Sequence, residues 1–301
     1  MTDRVGRHVR NTRLSAVFGP ARLLLRWAAH IRLWRTGPLR TTTRRHRSPV
    51  EACPLKISRL TAIAAMALTL LGIATVPAQA ASTPDIVGGT TVGTAPSWAA
   101  AVGDSSGMWC SGELVASQWV LTAAHCDGAT QIRIGSKNLN SGGTLAKVSK
   151  WVRNPKYNGS GYDFSLYKLT SAVSQTPIQI ASSSPTVGSS VTLYGFGQTC
   201  ATDGCGPMSS TLRQLSTKVA SDSSCGGITG SVELCFATTV SATDCYGDSG
   251  GPAVVNGMLV GSDSRGADGP GADTCGRTKS IYGDASTSTI SSWVRSTIAA
   301  G

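Results

Sequence analysis

From residue 86 onward the chain is written in short apolar runs cut by turn residues, and this spacing is the strongest constraint on its fold. Gly, Ser and Thr separate runs such as "QWVLTAA", "TQIRIG", "AKVSKWV", "FSLYKL", "SVTLYGFG" and "GMLVGSDS". Short strand-like segments at this spacing predict an all-β barrel or sandwich. The end of the chain differs. In "STISSWVRSTIAAG", Ile290, Trp293, Val294 and Ile298 recur at helical spacing and predict a terminal helix. The Ser/Pro-rich stretch 174–190 lies midway and reads as a linker between two halves.

A formal net charge of +11 invites a nucleic-acid reading until the charge is located. Residues 1–85 hold 14 of the 27 Lys+Arg and only three acids, Asp3, Glu51 and Asp85. The rest balances at 13 basic and 13 acidic side chains, which argues against a nucleic-acid partner for that part. Lys56 and Arg59 precede the uncharged run "LTAIAAMALTLLGIATV", and "PAQA" follows with Ala78 and Ala80 at A-x-A spacing. A charged flank, an apolar run and a small-residue exit predict a secretory signal over 55–80. The competing reading is a membrane anchor. The Arg-rich residues 1–54 fit neither, and the expectation is that they are a misassigned extension, with translation starting near Leu55.

Export gives the cysteines a meaning. Eight of the nine follow the cleavage point, and an even number in an exported chain predicts disulfides while leaving their pairing open. The ninth, Cys53, falls in the leader. No metal site is expected, because no C-x-x-C occurs and the exported part holds a single histidine.

Residues 243–252 read "TDCYGDSGGP" and set Ser249 among glycines. A serine hydroxyl is a weak nucleophile without a base beside it. Of the four histidines only His125 lies beyond the leader, in "WVLTAAHC". An imidazole titrating near neutral pH suits a general base, and a buried carboxylate would fix its tautomer. Between Asp127 and Asp203 the only acid is Asp163, at the head of the apolar run "FSLYKL". Burying it without a partner would be costly, and a histidine would be such a partner.

With "IVGG" at 86, "TAAHC" at 122, the Asp of "YDFSLYKL" at 163 and "GDSGGP" at 247, residues 86–301 resemble the chymotrypsin/trypsin-like serine proteases, of a secreted bacterial type. The resemblance implies an all-β fold of two six-stranded antiparallel barrels and a C-terminal helix, the first barrel over about 86–180 and the second over about 181–301. It implies a catalytic His125, Asp163 and Ser249, and an oxyanion hole from the N–H groups of Gly247 and Ser249. After cleavage of a short pro-segment, 81–85, the freed amine of Ile86 would pair with Asp248. Four disulfides are implied: Cys110–Cys126, Cys200–Cys205, Cys225–Cys235 and Cys245–Cys275. The expected partners are protein or peptide substrates, without cofactor, nucleic acid or, after signal cleavage, membrane, and the expected state is a monomer. A catalytically silent binding protein on the same fold is the alternative.

The sequence departs from the family's pattern in places. Ser111 stands where a glycine is usual after the cysteine, and Arg265 replaces a tryptophan in "SRG". Residues 128–162 lack any acid, so no calcium site is expected there. The implied substrate pocket comprises Thr243, Asp244, Tyr246, Ser264, Gly266, Ser280 and Tyr282. Trypsin-like members carry an Asp where this chain has Thr243, and the acid moves to Asp244. Either Asp244 faces a basic P1 side chain, or it pairs with Arg265, Arg277 or Lys279 and leaves a neutral pocket. Tyr282 is expected to narrow the pocket.

Overall fold

Thirteen strands and one helix order the chain in a computed structural model that describes residues 86–268 and 273–301. The leader, signal segment and pro-segment expected over 1–85 lie outside the described residues. β1 (Thr90–Thr91) is followed by β2 (Ala99–Asp104), β3 (Gly107–Ala116), β4 (Trp119–Thr122), β5 (Gln131–Ile134), β6 (Thr144–Arg153) and β7 (Ser165–Leu169). β2 to β7 close into an antiparallel barrel in the order β2-β3-β4-β7-β6-β5. Then come β8 (Ser190–Gly195), β9 (Arg213–Ala220), β10 (Glu233–Phe236), β11 (Pro252–Val255), β12 (Met258–Gly266) and β13 (Ser280–Asp284). These run β9-β10-β13-β12-β11-β8, and the β8–β9 pairing closes a second six-stranded barrel. The fold is therefore the one the resemblance implies.

Side-chain alternation explains why these segments become barrel strands. In β6 the odd positions Leu145, Lys147 and Ser149 are exposed while Ala146 and Val148 pack on the first core. β4 is buried on both faces. Val120 points into the first barrel's core, whereas Trp119 and Leu121 face a second apolar cluster. That cluster receives Ile290 and Val294 of helix α1 (Ser288–Ala299). The helix starts where Thr287 Oγ1 accepts the Ile290 N–H at 3.3 Å, a cap worth about 1 kcal/mol.

Both ends of the domain cross the boundary expected from sequence. β1 adds to the second barrel by pairing with β9, Thr90 opposite Gln214, although it precedes the first barrel. Helix α1, last in sequence, packs on Trp119, Leu121, Phe164 and Leu166 of the first. The expected linker touches both barrels: the Ile178 N–H donates to Leu114 O at 2.9 Å and the Ala181 N–H to Leu259 O at 2.8 Å. The structure holds four disulfides, Cys110–Cys126, Cys200–Cys205, Cys225–Cys235 and Cys245–Cys275.

Candidate active site

His125 follows β4, where the Cys110–Cys126 bond and the Tyr167 hydroxyl, donating to Cys126 O at 2.7 Å, fix the turn. Asp163 immediately precedes the β7 run and is 3% exposed. Its burial is compensated by four donors. Oδ1 accepts the Ala124 N–H at 2.7 Å and the His125 N–H at 3.1 Å. Oδ2 meets His125 Nδ1 at 2.7 Å and accepts the Ser264 hydroxyl at 2.7 Å. A carboxylate on Nδ1 holds the proton there and leaves Nε2 free to accept one. His125, Asp163 and Ser249 line one cavity of about 390 Å³.

Ser249 sits in a loop pinned from both barrels. The Ser111 N–H donates to Ser249 O at 2.9 Å, and the Gly250 N–H to Asp263 O at 2.9 Å. The Ser111 hydroxyl donates to Gly247 O at 2.9 Å and accepts the Phe196 N–H at 3.1 Å. The serine that departs from the family's glycine is thus a tether for the loop that carries the N–H groups of Gly247 and Ser249. Gly247 has φ 100°, and a Cβ there would lie 2.6 Å from Met208 Cγ, so only glycine keeps this backbone.

Asp248 turns away from the cavity. Its Oδ1 accepts the Gly197 N–H at 2.7 Å and its Oδ2 the Cys245 N–H at 2.9 Å. Burial raises its carboxyl to about 7, and these two donors only partly offset the effect. Ile86 is buried in the second barrel's core, and the Thr243 N–H donates to Val87 O at 2.9 Å. Ile86 has φ 34°, an unfavourable value for a β-branched residue.

Thr243, Asp244, Tyr246, Ser264, Gly266 and Ser280 all line the cavity. Tyr282 does not. It lies two residues beyond Ser280 on the same strand face, deeper in the barrel, with its ring 4.8 Å from that of Phe236. Asp244 accepts the Ser280 hydroxyl, a bond that lowers its pKa, but burial outweighs it and raises the group. Arg265 does not reach Asp244. Its guanidinium grips the buried Glu233 in a fork, Nη1 to Oε1 at 2.6 Å and Nη2 to Oε2 at 3.1 Å. Among the described residues neither Arg277 nor Lys279 forms an ion pair with Asp244.

Among the buried acids that escaped the sequence reading are Asp263 and Glu113. Asp263 of β12 is 4% exposed and lines the same cavity. Glu113 of β3 is fully buried between Ala99 and Leu121, and neither of its oxygens has a hydrogen-bond partner. Ser262 beside it donates its hydroxyl to Gly250 O at 2.9 Å. Burial drives both carboxyls well above the ordinary range. The signal was present, since each acid stands inside an apolar run, "CSGELVA" and "GMLVGSDS". The one trio of potential metal ligands among the described residues is Cys110, His125 and Cys126, whose two sulfurs are bonded to each other.

A family model described as Trypsin matches residues 86–294. The serine protease SP24D of Anopheles gambiae is 34% identical over 51% of this chain and 61% of its own length. The trypsin of Sus scrofa is 34% identical over 52% of this chain and 74% of its own. The solved structure of neuropsin, a serine protease expressed in the limbic system of mouse brain, superposes with a TM-score of 0.63 at 29% identity. It covers 70% of this chain and 98% of neuropsin. These relatives are animal proteins, so the bacterial type expected from sequence finds no support. The chain belongs to the trypsin family and is a serine endopeptidase of the chymotrypsin/trypsin-like kind.

Proposed function

We propose that this chain is a secreted endopeptidase that cleaves proteins or peptides through a His125–Asp163–Ser249 triad, becomes active when the Ile86 amine is freed, and prefers a basic P1 side chain. The observation that carries the reading is Asp163, buried under four donors and holding Nδ1 of the one histidine that shares a cavity with Ser249. Ser249 Oγ attacks the scissile carbonyl carbon as its proton passes to His125 Nε2. The N–H groups of Gly247 and Ser249 bind the oxyanion. Collapse breaks the C–N bond, His125 gives its proton to the leaving amine, and an acyl-enzyme remains. Water repeats the sequence and releases the acid. Throughout, Asp163 stays ionised and stabilises the imidazolium.

Export rests on the signal-like segment 55–80 and is consistent with the four disulfides. Activation rests on Asp248, a buried carboxylate with two backbone donors, and on the buried Ile86, whose nitrogen in the uncut chain is an uncharged amide to Asp85. Cutting that bond creates an ammonium and removes the positive φ. The basic P1 preference rests on Asp244, which faces the cavity while Arg265 is spent on Glu233.

The test is kinetic. Ser249→Ala and His125→Ala should each lower kcat by roughly 10⁴-fold or more, and the double variant should lose little beyond either single one. Independent, additive losses would show that the two residues do not act as one unit.

A further inference from the structure

We propose that Asp263 is a second specificity-determining residue: with Asp244 it forms a two-carboxyl wall that shares one proton and selects a Lys or Arg side chain at P1. The inference rests on the reading of the chain as a serine protease and extends it to a residue that the sequence did not single out.

Three observations converge. Asp244, from the loop before Ser249, and Asp263, from β12, are both buried, line the same cavity as the catalytic groups and lie near enough for each carboxyl to act on the other's ionisation. Two neighbouring buried carboxylates do not both ionise readily, so the pair holds one proton between them. Asp263 is the holder, since Asp244 accepts the Ser280 hydroxyl, which favours its ionised form, whereas Asp263 Oδ1 has no donor. Secondly, Asp263 Oδ1 is buried without a hydrogen-bond partner, an acceptor waiting for a donor. Thirdly, among the described residues the surroundings supply no free cation. β13 presents Ser280, whose hydroxyl is given to Asp244, and Tyr282, whose phenol burial and then Asp244 and Asp263 push well above its usual range. The Ser249 loop presents Asp248, and β3 presents Glu113. From the start of β7 comes Asp163, already paired with His125. On β12 itself the adjacent cation, Arg265, is held by Glu233.

Near neutral pH the wall carries one negative charge, displaced from the floor occupied by Thr243. A guanidinium or ammonium at P1 supplies both the missing donor and the missing charge. As pH rises the shared proton leaves and the wall becomes doubly anionic, so a cation gains further over an apolar side chain. As pH falls Asp244 becomes protonated and the advantage shrinks. Any pH effect on the chemical step that is common to both substrates cancels in a ratio.

The experiment measures kcat/KM for peptides that differ only in Arg or Phe at P1, from pH 5.5 to 9.5, on enzyme titrated with a fluorophosphonate. In the unmodified enzyme the Arg:Phe ratio should exceed one and rise about tenfold or more across the range, as a unit charge at close range in a low-dielectric site implies. Asp244→Asn should lose most of the Arg advantage at every pH. Asp263→Asn, which keeps a donor toward Asp244 but cannot ionise, should retain an Arg advantage that no longer rises at alkaline pH. A flat ratio in the unmodified enzyme, a preference for Phe throughout, or an Asp263→Asn profile that tracks the unmodified one would each overturn the proposal while fluorophosphonate labelling left the protease reading standing. Folded protein that fluorophosphonate does not label would overturn the protease reading and the proposal with it.

Discussion

Cutting the Asp85–Ile86 bond should change how the stability of this fold depends on pH, and the size of the change follows from Asp248. With Ile86 still an amide, the buried Asp248 carboxyl titrates at about 7 instead of 3.8. The folded chain therefore holds a proton that the unfolded chain has already lost, and stability falls as pH rises from about 4 to 7. Above about 7 both states are ionised and the curve levels. A gap of roughly 3 pH units at 1.36 kcal/mol each gives about 4 kcal/mol. This is a ceiling, because the Asp248 loop can turn outward to water at some cost, and that rearrangement would disorder Gly247 and Ser249. In the proposed cut form an Ile86 ammonium would remove the penalty. The assay is urea unfolding of residues 81–301 and 86–301, both carrying Ser249→Ala to prevent self-digestion, at intervals from pH 4 to 8. The longer chain should lose up to about 4 kcal/mol relative to the shorter one between pH 4 and 7. Parallel profiles would refute the ion-pair argument, since cleavage would then leave the environment of Asp248 unchanged.

Two further outcomes follow from the other buried acids. Arg265→Ala should cost about 3–5 kcal/mol at neutral pH by leaving Glu233 buried without its cation, measurable as a lowered urea midpoint with unchanged slope. Retained stability would mean that the fork is solvated enough to be dispensable. Glu113→Gln should raise stability at neutral pH by about 1–3 kcal/mol, and should flatten the fall in stability as pH rises through the range where the unfolded carboxyl ionises. A destabilised variant would show that the carboxyl makes a bond that the amide cannot.

The strands were legible because turn residues and short apolar runs are local signals, whereas the choice of two barrels over a sandwich came from the family resemblance. The six runs read from sequence all contain strands, while β2, with three alanines in six residues, and the two-residue β1 have little pattern of their own and form because a neighbour's edge is available. The terminal helix showed its period, but nothing in residues 288–299 says which barrel receives Ile290 and Val294. Asp163 was legible by elimination, as the only acid in a long stretch. Asp263 and Glu113 obeyed the same logic, an acid inside an apolar run, yet their surroundings come from other strands and appear only when the barrels close. Tyr282 misled for a related reason: one strand face passes from pocket to core within two residues.

The buried acids differ in one respect that organises the site. Asp163 is compensated by three hydrogen-bond donors and an imidazole, and Glu233 by a guanidinium fork. Both are complete within the folded chain, and both fix geometry: the histidine's orientation and the Arg265 wall. Asp248 and the Asp244–Asp263 pair are incomplete, with hydrogen-bond donors but no cation. A buried acid left ionised without a cation destabilises the fold, and the proposed function supplies a cation at both of these sites. On that reading the cation for Asp248 would be made from the chain itself by one cut at Ile86, and that for Asp244 and Asp263 would come with the substrate. Thr243 lies at the junction, its N–H tied to Val87 of the activation segment and its hydroxyl 3.5 Å from Asp244. In the proposed mechanism, docking of Ile86 would therefore set the backbone from which the pocket's own acid is presented, making activation and recognition of a basic P1 steps of one electrostatic assembly.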